Sequence, residues 1–154
     1  MELFTNTVSH PLQTKLQSLV SFLRTVTKGF DVIAEEIDNV NLKTAMITFA
    51  SESRQYAKEI CNYFQTKDIL IQSVCSDHLW EKVEMTVNEQ GGEEKGSEIL
   101  ALCNKCELYF KKLYDDILKE DFLYTHLKSI ITCQLYAAKC AFMKIRLLNT
   151  LRFN

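Results

Sequence analysis

Residues 11–37 read PLQTKLQSLVSFLRTVTKGFDVIAEEI, and the spacing of their apolar positions decides the fold class. Leu12, Leu16, Leu19, Leu23, Val26, Phe30, Ile33 and Ile37 recur at steps of four and three. A helix turns once in about 3.6 residues, so this register gathers them into one stripe. Such a stripe suits a rod packed at a shallow angle against its neighbours. Ser9 suits the N-cap, and Pro11 suits a first turn, where no N–H is needed. At about 1.5 Å per residue the rod is about 40 Å long.

Three further long segments repeat the pattern. The second runs from Asn41 to Phe64, with Leu42, Met46, Phe49, Ser53, Ala57, Ile60 and Phe64 on its stripe and Tyr56 and Tyr63 beside it. The short link at Asp38, Asn39 and Val40 makes the first two rods antiparallel neighbours. The third starts at Ser97 as N-cap and reaches Lys119, with Ile99, Cys103, Cys106, Phe110, Leu113 and Ile117 on one face. The fourth spans Phe122 to Leu148 and carries Leu127, Ile131, Gln134, Ala138, Ala141, Ile145 and Leu148. Ala137, Ala138 and Ala141 permit close helix approach there.

Between the second and third rods the pattern is less regular. Ile69, Leu70 and Ile71 make an apolar patch in a loop, and a shorter helix is expected from His78 to Asn88 with Leu79, Trp80, Val83 and Met85. Gly91 and Gly92, followed by Glu93, Glu94 and Lys95, read as a surface loop up to Gly96. Four amphipathic rods bury their stripes most economically against one another. The long connection, residues 65–96, is what a crossover needs, and it favours ferritin-like topology over simple up-down-up-down order.

The chain has 154 residues, one Pro and four Gly, and fits a single domain with few helix breakers. Eighteen Lys and Arg against twenty Asp and Glu leave no basic footprint for nucleic acid. No apolar run of about 18 residues exists to span a membrane. The N-terminal MELFTNTVSHP lacks the charged and apolar regions of a secretory signal, which points to the cytosol and to six free thiols.

Two constellations carry possible chemistry. A carboxylate-bridged iron or manganese site in a bundle takes Glu from two helices and Glu-x-x-His from the other two. Glu52 and Glu107 border suitable stripes, but none of His10, His78 and His126 follows a Glu by three. Cys103-x-x-Cys106 has a spacing seen in zinc and redox sites, and Cys133 and Cys140 lie on the fourth rod. Cys103 and Cys106 nevertheless hold ordinary stripe positions, where Cys acts as a small apolar residue. Gln134 is the polar residue central to a stripe and reads as a hydrogen-bonding core residue.

Gly29-Phe30 with Ala34-Glu35-Glu36, then Glu52, Gln55, Tyr56, Ala57 and Glu59, then His78, Leu79, Trp80 and Lys82, then Cys103, Glu107, Tyr114 and Leu118, and finally Gln134 and Lys139, form an ordered set. The set resembles a bacterial family of ferritin-like four-helix-bundle proteins of unknown function, over Leu16 to Leu148. The resemblance implies the bundle fold and no particular activity. Where many members of that family place acids or histidine toward the bundle centre, this chain has Lys28, Asn104, Ala137 and Phe142.

The expectation is therefore an all-α, ferritin-like four-helix bundle with one short extra helix in its crossover. It is a structural or protein-interaction module without enzyme activity, metal or cofactor. Leu79, Trp80, Ile69 and Ile71 are the candidate surface for a protein partner or for self-association; no nucleic acid and no membrane are expected. The alternatives are a carboxylate metal-binding protein using Glu52 and Glu107, a thiol sensor or zinc protein using Cys103, Cys106, Cys133 and Cys140, and an apolar ligand carrier.

Overall fold

A computed structural model describes residues 10–65, 92–121 and 125–151. They form four α-helices: α1 (His10–Glu35), α2 (Val40–Gln65), α3 (Gly92–Leu118) and α4 (Thr125–Leu151). Among the described residues, no helix is long and apolar enough to cross a membrane. All eight stripe residues of the first rod are buried, including Ile37, which lies just past the end of α1. The end of α1 is tightened by the amides of Glu36 and Ile37, which donate to the carbonyls of Ile33 (2.9 Å) and Ala34 (3.2 Å). Asn39 then caps α2, its Oδ1 accepting from the Leu42 amide at 3.0 Å. The chain reverses in a few residues because these end groups find partners close by.

Two boundaries differ from the sequence reading by more than two residues. α3 begins at Gly92, so Ser97 lies inside the helix and residues 92–96 are helical rather than loop. A glycine disfavours helix by only about 1 kcal/mol. Extending an existing helix adds one backbone bond per residue fixed, which outweighs that penalty here. α4 spans Thr125–Leu151 and so reaches past Leu148. Phe122, Ser9 and the expected His78–Asn88 helix lie outside the described residues.

Side-chain contacts fix the direction of each neighbour. Asp31 meets Arg54 at 3.4 Å across α1 and α2. Lys15, early in α1, pairs at 2.7 Å with Glu120, just past the end of α3. Phe49 meets Phe142 at a 4.7 Å ring separation, and Tyr63 meets His126 at 5.6 Å, across α2 and α4. Tyr114 bonds Gln134 across α3 and α4. Every neighbouring pair is therefore antiparallel. The backbones of α1 and α4 do not approach each other closely, nor do those of α2 and α3, so these are the diagonals of the bundle. α2 and α3 consequently run in the same direction, and the C-terminus of α2 lies at the opposite end of the bundle from the N-terminus of α3.

The core is continuous from Leu12 and Phe64 at one end to Ile99 and Ile37 at the other. In the bundle core each helix contributes a buried phenylalanine, Phe30, Phe49, Phe110 and Phe142, and α1 adds Phe22, 6.0 Å from Phe110. Ring centroids lie 5.3 Å apart for Phe30–Phe49, 5.7 Å for Phe110–Phe142 and 6.5 Å for Phe30–Phe142. These edge-on pairs each add about 0.5–1.5 kcal/mol beyond simple burial. The last pair reaches across a diagonal, so the rings meet across the bundle core.

Candidate functional site

One polar network lies beside that aromatic centre, where Tyr114 stacks on Phe110 at 4.6 Å. Gln134 of α4 accepts a hydrogen bond from the Tyr114 hydroxyl at 2.7 Å. Its amide nitrogen donates to the Tyr56 carbonyl at 3.2 Å and lies 3.4 Å from a Glu59 carboxylate oxygen. The Tyr56 hydroxyl is directed at Glu52, at 3.5 Å. Burial, and then the neighbouring carboxylates Glu52 and Glu59, push the Tyr56 phenol well above its ordinary pKa. Burial, followed by Tyr56 and Glu59, does the same to Tyr114. Both phenols therefore stay protonated and act as donors. The network joins α2, α3 and α4 and satisfies a glutamine that would otherwise be a buried polar liability.

Glu52 and Glu107 serve separate structures. Glu52 is half-buried beside Tyr56. Glu107 is buried, and its carboxylate is bound by Arg146 of α4 and by Lys111, at 3.3 Å, one turn along α3. A carboxylate held by two cations is neutralised in place. Among the described residues, no three His, Cys, Asp or Glu side chains come together to hold a metal ion. Of the four inward positions suggested by the family resemblance, only Phe142 is inward. Lys28, Asn104 and Ala137 are exposed, because they fall outside the stripes of α1, α3 and α4.

The thiols divide in the same way. Cys103 and Cys106 are buried on α3, whereas Cys133 and Cys140 are exposed on α4, so the four do not form one ligand set. Burial pushes the Cys103 thiol up to about 12 and also raises that of Cys106. Both remain protonated near neutral pH, the state of a packing group rather than of a nucleophile. Leu79, Trp80, Ile69 and Ile71 lie outside the described residues.

A different surface stands out once α4 is placed. Cys133, Tyr136, Cys140, Met143, Leu147 and Leu151 are exposed and recur at steps of three, four, three, four and four. They form a second stripe, opposite the one that faces the core. Tyr136 is 72% exposed, Met143 62% and Leu147 59%. Between this stripe and α2 runs a groove of about 340 Å³ bordered by Ala45, Thr48, Glu52, Ala137, Ala141 and Lys144, with Phe49 and Tyr56 among its lining residues. The sequence carries a signal for the stripe. Its periodicity is plain, and the segment Thr125–Leu151 contains no Asp or Glu. The inward stripe of the same helix is enough to explain that segment as a rod, and so it hides the outward one. No protein-family model, curated protein or solved structure matches the chain.

Proposed function

We propose that the protein is a non-enzymatic, ferritin-like helical bundle that works as a protein-interaction module. The observation that carries this reading is the outward stripe of α4, a line of apolar side chains that the bundle does not bury. A helix that is apolar on two opposite faces has one more contact surface than its own fold uses. The parallel, diagonal arrangement of α2 and α3 supports the ferritin-like part, since a single long crossover produces it. The non-enzymatic part is supported by the four phenylalanine rings that meet in the bundle core, where a carboxylate and imidazole donor set would have to stand.

The test places a photo-crosslinking amino acid at position 136 of the full chain, and separately at position 14 on the polar outer face of α1, in the native host. The expected result is a discrete protein adduct from position 136 and none from position 14. Identical adduct patterns from both positions overturn the interaction reading. Near-stoichiometric iron or manganese in the purified protein overturns the non-enzymatic one.

A further inference from the structure

We infer that the outward face of α4 seats an acidic amphipathic helix of a partner protein. This rests on the interaction reading above and gives the partner a chemistry. The stripe from Cys133 to Leu151 runs about 27 Å along the helix axis, enough for a partner helix of about five turns. On a helix turning about 100° per residue, Lys139 and Lys144 project to opposite sides of the Tyr136–Met143–Leu147 line. Lys128 adds a third exposed cation near the start of the helix. None of the three forms an ion pair among the described residues, and α4 carries no acid of its own. Its remaining fixed cation, Arg146, is taken by Glu107. An apolar line with lysines on both flanks complements a helix with an apolar seam bordered by Asp and Glu.

The shape favours a helix over a lipid surface. A bilayer is flat and meets protruding residues, whereas the stripe is bordered by a concave groove. Ala45, Ala137 and Ala141 line that groove, and side chains this small let a second helix approach closely and insert its own. A second copy docked through the same face is disfavoured by charge, because two-fold pairing sets the lysines of one α4 against those of the other.

The test uses the full chain and two designed amphipathic peptides of about 20 residues. They share one leucine seam and differ only in having Glu or Lys on its borders. Fluorescence anisotropy is expected to show the Glu peptide binding at least about tenfold more tightly than the Lys peptide. Lys139→Glu with Lys144→Glu should reverse that order. Met143→Glu with Leu147→Glu should weaken the Glu peptide by about tenfold or more, while circular dichroism shows an unchanged helix content. Equal affinities for the two peptides, or no binding of the Glu peptide at about 100 μM, overturn the inference. So does binding to phosphatidylglycerol vesicles in place of the peptide, or a dimer in sedimentation that Tyr136→Ser dissolves. A protein adduct from position 136 combined with no preference for the acidic peptide sinks the charge assignment alone and leaves the interaction reading standing.

Discussion

α1 and α4 occupy equivalent places in the bundle. Each lies between α2 and α3, the two run parallel across a diagonal, and they have nearly the same length. Their inward faces are alike, with Leu16, Leu19, Leu23 and Phe30 on one and Leu127, Ile131, Phe142 and Ile145 on the other. Their outward faces are not. α1 exposes Thr14, Ser18, Arg24, Lys28 and Glu35, whereas α4 exposes Tyr136, Met143, Leu147 and Leu151. Folding demands one apolar stripe per rod, and α1 shows that a polar outer face satisfies the bundle. The other described helices make no use of the second stripe of α4, and that contrast is why the interaction surface is proposed on the outer face of α4 rather than in the interior.

The contrast can be broken from either side of α4. On the inner face, Phe142→Ala removes one of the four central rings, and urea unfolding should show a loss of about 3–5 kcal/mol. A loss below about 1 kcal/mol would mean that the centre is loosely packed and that the two faces differ less than their burial indicates. Gln134→Leu is the next step down. It leaves the buried Tyr114 hydroxyl without its acceptor, and a loss of about 1–3 kcal/mol is expected. Greater stability in the variant would show that the network serves something other than holding α2, α3 and α4 together. The smallest effect belongs to the outer face. Met143→Ser with Leu147→Ser should leave stability within about 0.5 kcal/mol of the parent. A large loss there would mean that the outer stripe contributes to this chain's own fold after all.

Much of the architecture is legible in the sequence because helix periodicity is a local property. The stripes of the first two rods can be read residue by residue, and every member is buried. The fourth is less complete. Leu127, Ile131, Gln134, Ala138 and Ile145 are buried, but the stripe extends to Asn149, and Ala141 and Leu148 are only half-buried. The start of α3 is not legible, since Gly92 and Gly96 are poor helix formers at positions that the helix nevertheless includes. Asn39 reads as part of a link, yet its role as the cap of α2 depends on backbone geometry that spacing does not supply.

Sequence alone determined that four rods would each bury a seam, that Cys103 and Cys106 would sit on such a seam, and that Gln134 would be the polar member of another. Those conclusions need only the turn angle of a helix and the free energy of removing apolar groups from water. Which seams meet was a matter for the tertiary structure. It set α2 and α3 parallel on a diagonal, brought Phe30, Phe49, Phe110 and Phe142 to one level, and gave Glu107 to Arg146 and Lys111. It also turned Cys133 and Cys140 outward and left one face of α4 uncovered by the other described helices. Contacts between residues far apart in the chain depend on how whole helices pack, and no local pattern encodes that.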